Sequence, residues 1–403
     1  MGDTFSRRVP PAATAELAIT GYGGTGQSAL LRSQPAVTRA GGLMIEFSLG
    51  RSEVQFDLNA LKPFYANKRV LITGAAGSVG SALCAELAEL GCAHLAMLDH
   101  FDHGLLEVVE RVRRLAPAQQ VTEALCDVRD KGRLDAWMRR IQPDVVIHSA
   151  ALKHVHLGER HPVECILTNL VGVKNTLETA VAAGAGHFML ISSDKAAAPS
   201  CMMGATKRLA ELYLAGFQME RPGPTKLKSV RFGNVLGSQG SVLPRFEAQI
   251  EAGRPLEITH REMERFFMSA HEAVGLILSV TAMDDTGTGE AASYYMEMGA
   301  PVSIVEMGRR LIERSGKRVS IEITGLRPGE KLKERMFDEC EMMAATALPH
   351  VFRVSPAASS AYMTGADIAH FETLSRTVDD AVVRQRVFAY LDERLQREEL
   401  AAG

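Results

Sequence analysis

From residue 68 onwards, apolar and polar positions alternate between two periods. Short apolar runs bounded by glycine or charged residues predict strands, and apolar residues that recur every three to four positions predict helices. The predicted strands are 68–74, 94–99, 120–128, 144–151, 187–193 and 226–235. The predicted helices are 78–90, 104–115, 132–141, 162–184 and 201–219. Strands and helices that alternate in this way are typical of a parallel, doubly wound α/β sheet.

The chain divides by how strongly this alternation holds. Residues 1–43 are rich in small residues and arginine without periodicity, so we predict a poorly ordered leader; translation starting at Met44 is equally compatible with the pattern. Residues 44–66 make a lead-in segment. Residues 67–235 form the predicted doubly wound domain. In residues 236–403 the alternation fades, which indicates a smaller second region with C-terminal helices.

Charge and composition exclude several classes of protein. The 403 residues contain 45 basic and 48 acidic side chains, a net charge of −3, with no basic run that would favour nucleic acid as a main partner. No apolar run reaches the roughly 18–20 residues of a membrane span, and the N-terminus has no signal peptide. Six scattered cysteines without a C-x-x-C pair indicate reduced, buried thiols. We therefore predict a soluble cytoplasmic protein.

Three glycines, Gly74, Gly77 and Gly80, stand between the first predicted strand and the first helix. Glycines here allow a tight turn and let backbone N–H groups, those of Ser78 and Val79, approach a pyrophosphate at the helix N-terminus. The spacing G-x-x-G-x-x-G resembles that of the extended branch of the short-chain dehydrogenase/reductase superfamily. This resemblance implies a bound nicotinamide dinucleotide.

Further residues at strand ends complete the predicted cofactor site. Asp99 ends the second strand, where a carboxylate accepts hydrogen bonds from ribose hydroxyls and repels a 2′-phosphate, so the sequence favours NAD over NADP. The resemblance places Asp127 and Val128 beside the adenine, although an ordinary capping carboxylate stays open for Asp127. No metal is predicted, since the nearby histidines lack further ligands at metal-binding spacing. The resemblance also places beside the centre of the cofactor Ala150, Ala151 and Lys153.

The segment SSDKAAAPSCMMGATKR, residues 192–208, leaves the carboxyl end of the fifth strand, where open α/β sheets carry their chemistry. Dinucleotide enzymes of this layout often place a proton-carrying tyrosine four residues before a lysine. Here the lysine is Lys207 and the tyrosine position is Met203. Asp194 and Lys195 are adjacent, so each shifts the pKa of the other, and a lysine acts as a base near neutral pH only if its pKa falls by roughly two to three units. A surface ion pair is the alternative.

Together with residues 231–250, 258–268 and 326–334, this segment resembles the polysaccharide-biosynthesis family of nucleotide-sugar 4,6-dehydratases. More narrowly, it is similar to the UDP-N-acetylglucosamine 4,6-dehydratases that retain the C5 configuration, in their short forms without membrane helices. The resemblance spans residues 46–350. Members commonly carry methionine at the tyrosine position, which implies that Met203 marks a subfamily. Departures from the family pattern, which bear on the exact substrate, are Leu152, His156, 198–201 and Gln239.

The resemblance implies a mechanism, which we state as a hypothesis. NAD takes a hydride from C4 of the sugar, Lys195 removes the C5 proton, and Asp194 protonates the departing C6 hydroxyl. Hydride then returns to C6, which gives a 4-keto-6-deoxy sugar. Lys207 holds the nicotinamide ribose, while Asp194, or a water ordered by Lys207 and Ser193, takes the C4 hydroxyl proton. The expected catalytic residues are therefore Ser193, Asp194, Lys195, Met203 and Lys207.

Residues 236–403 are expected mainly to bind the nucleotide sugar, carried by UDP or GDP. Arginine suits phosphate recognition, although surface arginines remain the alternative. Two other functions stay open: an epimerase on the same scaffold, since transient C4 oxidation also serves epimerisation, and a non-catalytic NAD-sensing protein. A homo-oligomer is expected. The residues expected to contact the diphosphate and the nucleoside ribose are Asn234, Arg265, Arg327 and Glu330.

Overall fold

The computed structural model describes residues 49–284, 291–339, 341–356, 362–377 and 379–402. The predicted leader, the start of the lead-in segment at 44–48 and Cys340 lie outside these ranges.

Strands and helices alternate along the first half of the chain and become less regular after it. The strands are β1 (Arg69–Thr73), β2 (His94–Asp99), β3 (Val121–Leu125), β4 (Val145–His148), β5 (His187–Ile191), β6 (Lys226–Arg231), β7 (Asn234–Val235), β8 (Leu256–Ile258), β9 (Glu264–Arg265), β10 (Phe267–Met268), β11 (Ala292–Met296), β12 (Val302–Ser303), β13 (Ile321–Ile323), β14 (Glu341–Ala345) and β15 (Val351–Pro356). The helices are α1 (Lys62–Tyr65), α2 (Ser78–Leu90), α3 (Asp102–Leu115), α4 (Lys131–Ile141), α5 (Val155–Arg160), α6 (Pro162–Ile166), α7 (Gly172–Ala182), α8 (Met202–Glu220), α9 (Val242–Glu251), α10 (Ala270–Ala282), α11 (Ile304–Ser315), α12 (Gly365–Thr377) and α13 (Asp380–Ala402). Short 3₁₀ turns occupy Leu58–Leu61 and Asp194–Ala196, and a π-helical segment occupies Leu167–Val171.

Across the described ranges, nine strands form one sheet in the order β14–β15–β11–β6–β5–β4–β1–β2–β3. The strands from β11 to β3 run parallel, and β15 and β14 extend that edge in antiparallel pairing. The strand order reverses between β1 and β4, and open α/β sheets bind ligands in the crevice at such a point. The predicted doubly wound parallel sheet is confirmed.

Helices cover both faces of the sheet. α2, α3 and α10 pack on one face, through residues such as Leu83, Val109 and Ile277. α4, α6, α7 and α8 pack on the other. β4 is buried at every position, which is expected of a strand covered on both faces. Among the described helices, none has the length and apolar character required to cross a membrane.

α8 is buried on all sides, from Met202 to Phe217. The sheet covers one side of it, and α12 and α13 cover another through apolar residues that include Phe371 and Leu391. A Cβ atom built on Gly216 would lie 2.2 Å from the carbonyl oxygen of Met363, so the chain entering α12 touches the backbone of α8. The C-terminal helices therefore complete the core around α8.

Several predicted elements differ from the observed ones. The strands predicted over 144–151 and 187–193 end at His148 and Ile191, and the one predicted over 226–235 divides into β6 and β7. The strand predicted to reach residue 128 ends at Leu125, because the N–H of Arg129 donates to the side chain of Asp127 and turns the chain. The helix predicted over 162–184 contains the π-helical segment. Within it, the side-chain amide of Asn169 accepts a hydrogen bond from the N–H of Leu152 and donates one to its carbonyl, which places this irregular turn beside the end of β4.

The sheet continues beyond residue 235. β11, β14 and β15 come from the second predicted region and lie next to β6. The sheet therefore contains strands from both sides of residue 235. A division of the chain into two domains at that residue stays a prediction.

Candidate active site

The turn after β1 is built from glycines packed against neighbouring backbone. Gly74 has a φ of 67°, in the left-handed region, and a Cβ on it would lie 2.5 Å from the backbone nitrogen of Ala150. A Cβ on Gly80 would lie 2.1 Å from the carbonyl oxygen of Gly74. The turn is therefore pressed between the end of β4 and the first turn of α2, and only glycine fits.

The N-terminus of α2 faces a cavity and is suited to an anion. Gly77 precedes the helix in an extended conformation, and no side chain caps the first N–H groups. Such uncapped groups carry the positive end of the helix dipole. Ser78 and Val79 line the space in front of them. This cradle fits the pyrophosphate of a dinucleotide.

A cavity of about 500 Å³ lies beyond this cradle, at the carboxyl ends of β2, β3 and β4. Asp99 is almost fully buried, and its two carboxylate oxygens accept hydrogen bonds from the N–H groups of Ala76 (2.9 Å) and Phe101 (3.0 Å). These bonds fix the carboxylate at the cavity wall, where it fits ribose hydroxyls. The expected cofactor residues on this wall are Gly74, Gly77, Asp99, Asp127, Val128, Ala150, Ala151 and Lys153.

Asp127 is engaged by a neighbour in this structure. The Arg129 guanidinium contacts both of its oxygens, at 2.6 Å for the shortest pair, and also lies 2.9 Å from a carboxylate oxygen of Glu164. Partial burial alone would raise the pKa of Asp127, but Arg129 holds it below its usual value. Asp127 thus stabilises the turn after β3, which is the capping alternative, while its side chain still borders the cavity.

A second cavity, of about 520 Å³, continues the first towards β5 and β6. Lys153 and Gln239 line both cavities. The Lys153 ammonium donates to the carbonyl of Gln239 at 2.7 Å, and the N–H of Gln239 donates to the hydroxyl of Ser78 at 3.0 Å. The loop after β7 therefore crosses the groove. Burial lowers the pKa of Lys153. Each cavity has a size typical of small-molecule sites.

The second cavity brings together most of the residues expected in the reacting centre. Ser193, Lys195, Met203 and Lys207 line it. Asp194 is not among the lining residues, and its side chain is fully buried behind Ser193 and Lys195. Met203 supplies an apolar wall at the position where dinucleotide enzymes of this layout often carry a tyrosine.

Asp194 and Lys195 form a close ion pair. The Lys195 ammonium lies 2.8 Å from Oδ1 of Asp194, and this oxygen also accepts a hydrogen bond from the Ser193 hydroxyl at 2.9 Å. The other oxygen, Oδ2, is buried and has no hydrogen-bond partner among the residues that the structure describes. Burial alone would lower the pKa of Lys195, but Asp194 and Glu334 raise it above its usual value. This direction is opposite to the lowered pKa expected of a base.

Lys207 differs from Lys195 in that its pKa is lowered. It is buried, and its ammonium donates to the carbonyl of Ile191 at 2.7 Å. Burial lowers its pKa to about 8. Lys207 lies one helical turn from Met203 on α8 and borders the same cavity. It therefore places a cation of reduced basicity in the wall of the second cavity.

The residues expected to hold the substrate are only partly brought together. Asn234, which accepts a hydrogen bond from Lys195 at 3.3 Å, lines the second cavity with Arg265 and Glu330. The guanidinium of Arg265 donates to two backbone carbonyls. Arg327 does not line the cavity; its backbone N–H donates to Glu330, which closes the turn that carries both residues.

Glu334 was missed by the sequence analysis. It lines the second cavity, and burial raises its pKa, with Asp194 acting in the same direction. Its only sequence signal is its place within the segment 326–334. No group of three or more histidine, cysteine or acidic residues in the described ranges could hold a metal ion.

Comparison with known sequences matches residues 70–356 to the family described as polysaccharide biosynthesis protein. The capsular polysaccharide biosynthesis protein CapD of Staphylococcus aureus is 37% identical over 313 residues, 77% of this chain and 51% of CapD. The chain thus spans about half the length of that relative. The UDP-N-acetylglucosamine 4,6-dehydratase (inverting) of Campylobacter jejuni is 32% identical over 294 residues, 72% of this chain and 84% of the relative. A UDP-glucose 4-epimerase of Rickettsia typhi is 31% identical over 291 residues, 72% of this chain and 83% of that enzyme.

Solved structures share the fold. The structure of Pen from Bacillus thuringiensis superposes with a TM-score of 0.67 and 27% identity, over 78% of this chain and 99% of Pen. DesIV, a dTDP-glucose 4,6-dehydratase from Streptomyces venezuelae solved with NAD bound, superposes with a TM-score of 0.57 and 20% identity, over 65% of this chain and 86% of DesIV. The second likeness establishes the Rossmann-like sheet alone.

Proposed function

The chain belongs to the polysaccharide biosynthesis protein family, and from this premise we propose that it is an NAD-dependent nucleotide-sugar 4,6-dehydratase. It would convert UDP-N-acetylglucosamine, or the GDP-linked sugar, to the 4-keto-6-deoxy sugar. The observation that carries the proposal is the Asp194–Lys195 pair at the carboxyl end of β5. Lys195 of this pair and the apolar Met203 line a cavity that continues from the glycine turn, and Asp194 lies buried behind Lys195. An acid and a base side by side are what an elimination of water requires.

NAD is the cofactor that these residues fit. The glycine turn and the N-terminus of α2 would hold the pyrophosphate, and Asp99 would accept hydrogen bonds from the ribose and repel a 2′-phosphate. Lys207 would lie beside the nicotinamide ribose. When bound, NAD accepts a hydride from C4 of the sugar and returns it to C6, so that C5 is temporarily next to a ketone.

Lys195 and Asp194 reach their working states by one proton transfer between them. In the resting pair, Lys195 carries the proton and Asp194 is a carboxylate. Moving that proton across the 2.8 Å hydrogen bond leaves a neutral amine, which can remove the C5 proton, and a carboxylic acid, which can protonate the departing C6 oxygen. The net charge of the pair is unchanged. A substrate that displaces water from the cavity favours this neutral form, since burial disfavours charge.

Ser193 would connect Asp194 to the sugar. The Asp194 side chain is enclosed, whereas the Ser193 hydroxyl borders the cavity and donates to Asp194. A proton can therefore pass from Asp194 through this hydroxyl to the leaving oxygen. Asn234, Arg265 and Glu330 are the proposed contacts to the nucleotide and its diphosphate; Arg327, which was also expected to bind it, does not line this cavity.

Product analysis tests the proposal. The purified protein is incubated separately with UDP-N-acetylglucosamine and GDP-N-acetylglucosamine, and the sugars are analysed by mass spectrometry and proton NMR. We expect loss of one water and a new C6 methyl signal from one of the two. Replacing Asp194→Asn should nearly abolish this product while NAD remains bound. No product from either sugar, or a near-normal rate in the variant, would overturn the corresponding assignment.

The alternative function is a nucleotide-sugar epimerase, which the relative from Rickettsia typhi favours by its name. An epimerase would give an isomer of unchanged mass in the same experiment. The sequence resemblance implies retention at C5, whereas the relative from Campylobacter jejuni is named as inverting. The NMR coupling constants of the product ring distinguish these two dehydratase outcomes.

A further inference from the structure

The proposed reaction releases one proton whose acceptor is still open, and any assignment of that acceptor rests on the proposed function. Forming the C4 ketone breaks the O4–H bond, and expelling water from C6 consumes a proton. Met203 occupies the position where related dinucleotide enzymes often carry a tyrosine, and its thioether has no proton to exchange. Lys195 is engaged at C5 and Asp194 at O6. A further group must receive the O4 proton.

Glu334 lines the cavity, and the mechanism proposed so far gives it no role. It borders the same space as Lys195 and Met203, and its side chain is half-buried. Within the described part of the chain, its carboxylate makes no hydrogen bond and no ion pair. Asp194, by contrast, is enclosed and already bonded to Ser193 and Lys195. Two carboxylates line this cavity, those of Glu330 and Glu334, and Glu330 already accepts a hydrogen bond from the N–H of Arg327. Glu334 is thus the one whose carboxylate is unoccupied among the described residues.

The backbone on both sides of Glu334 is attached to the catalytic segment. Before it, the Lys331 ammonium donates to the carbonyl of Ala198. After it, the carbonyl of Met336 accepts a hydrogen bond from Arg231 at 3.3 Å. These attachments fix the position of the carboxylate relative to β6 and to the segment after β5, which is what a proton acceptor requires.

We propose that Glu334 is a further catalytic residue, the base that takes the proton of the C4 hydroxyl. The O4–H bond breaks, the proton goes to a carboxylate oxygen of Glu334, and the freed electron pair forms the C4=O bond. The C4 hydrogen would leave with its electrons to a nicotinamide dinucleotide held at the glycine turn, which would be the oxidant. Asp194 gives its proton to the departing C6 oxygen, and Lys195 returns a proton to C5 when hydride comes back at C6. The proton on Glu334 then passes to the neutral Lys195, so the resting ion pair and the starting charge of the site are restored.

The proposal gives C4 oxidation a pH dependence. The charged or titratable groups that face Glu334 are Asp194, Lys195, Cys201, Arg265 and Lys331. Burial raises the pKa of Glu334, and the surrounding cations only partly oppose this. A base acts only when deprotonated, so C4 oxidation should increase as the pH rises through the pKa of Glu334, above its ordinary value of 4.5, and be lost at lower pH.

Deuterium incorporation at C5 separates this step from elimination. In D₂O the C5 hydrogen exchanges only after C4 has been oxidised, whether or not water then leaves C6. We expect Glu334→Gln to lower both C5 exchange and dehydration by about 10²–10⁴-fold. Asp194→Asn should lose dehydration but keep C5 exchange, because burial lowers the pKa of Lys195 once the Asp194 charge is gone, and the neutral amine can still remove the C5 proton. Both quantities are read from the recovered sugar by mass spectrometry and proton NMR.

Matched variants exclude a merely structural effect. Glu339→Gln changes an exposed carboxylate of the same segment and should behave as the wild type. Glu334→Asp should show more C5 exchange than Glu334→Gln, and this exchange should still fall at low pH. In Glu334→Gln, the residual exchange should no longer depend on pH in this range. Binding of the nucleotide sugar, measured by calorimetry, should be equal in wild type and Glu334→Gln.

Two results would count against different claims. Wild-type exchange in Glu334→Gln, together with none in Asp194→Asn, would assign the O4 proton to Asp194 and overturn the inference. A wild-type protein that makes no dehydrated sugar would instead overturn the proposed function.

Discussion

Two lysines in one cavity differ in basicity because their partners differ. Asp194 and Glu334 raise the pKa of Lys195 against the effect of burial. Lys207 donates to a neutral carbonyl, that of Ile191, and burial lowers its pKa to about 8. The lysine that the sequence indicates as the base is therefore held protonated at rest, and the one expected to anchor the cofactor is easier to deprotonate. The local sequence around a lysine does not show which groups it meets in the folded protein, so it cannot predict whether its pKa is raised or lowered.

Lys207→Met should stabilise the protein while impairing its activity. The pKa of Lys207 falls from 10.5 to about 8 on folding, so the buried charge costs about 3 kcal/mol below pH 8. The variant also loses the hydrogen bond to Ile191, which lowers its stability by about 1 kcal/mol and offsets part of this stabilisation. We expect the free energy of unfolding at pH 7, measured with urea on dinucleotide-free protein, to rise by about 2 kcal/mol.

The pH dependence provides the check on this prediction. Between pH 8 and 10.5 the unfolded chain binds more protons at this site, so wild-type stability should gain from Lys207 as the pH rises. The difference in unfolding free energy between wild type and Lys207→Met should therefore become smaller towards about pH 10. A gap that is constant with pH would contradict the assigned cause.

At the scale of elements, the sequence predicted those features that depend on neighbouring residues alone. The alternation of periods gave the parallel strands and their helices, and the glycine turn followed from its spacing. Glu334 escaped prediction because its role depends on a contact between segments far apart in sequence, which no periodicity reports. The π-helical segment escaped for the same reason, since Asn169 bonds to Leu152 across the fold. Arg327 was expected to face the substrate, yet the turn that carries it directs only Glu330 to the cavity.

Gly80→Ala should abolish dinucleotide binding. The added Cβ would lie 2.1 Å from the backbone oxygen of Gly74, so α2 must move away from the turn. We expect a loss of about 1–3 kcal/mol in unfolding free energy and no detectable NAD binding by calorimetry. Gly132→Ala, in α4, is the control, because its Cβ would have its nearest neighbour at 3.6 Å. Unchanged NAD affinity in Gly80→Ala would refute the packing argument.

At the scale of the whole molecule, a buried cluster of charges joins three distant parts of the chain. Arg231 on β6 contacts Glu211 on α8 at 2.6 Å and Glu341 on β14 at 2.7 Å. Arg208 contacts both glutamates from α8. The four side chains are almost entirely enclosed and balance in charge, so each depends on the others for its stability. The cluster fixes the segment with Glu334 to the catalytic helix.

Glu341→Gln should destabilise the protein by about 3–5 kcal/mol near neutral pH, because it leaves two buried arginines short of a partner. Burial alone would raise the pKa of Glu341, but Arg208 and Arg231 lower it from 4.5 to about 2. Its contribution, about 3 kcal/mol, is present above pH 4.5 and should be lost as the pH falls towards 2. Urea unfolding at several pH values should show this loss in wild type and not in the variant. The exposed Glu339→Gln should match wild type throughout.

Gly216→Ala should loosen the C-terminal helices. Its Cβ would collide with the carbonyl oxygen of Met363, 2.2 Å away, so α12 must shift from α8. We expect faster amide hydrogen exchange along α8, measured by mass spectrometry. Gly186→Ala, whose Cβ would meet its nearest atom at 3.7 Å, should exchange like wild type. Equal protection in both variants would show that α12 does not seal α8.

The covering of α8 by α12 and α13 has a consequence for biosynthesis. The helix that carries Lys207 is translated before Phe371 and Leu391, which complete its surroundings. Apolar surface on α8 must therefore stay unburied until that later part of the chain has been made, and non-local contacts of this kind slow folding. A ribosome that stalls between α8 and α12 would hold a chain whose catalytic helix is still exposed.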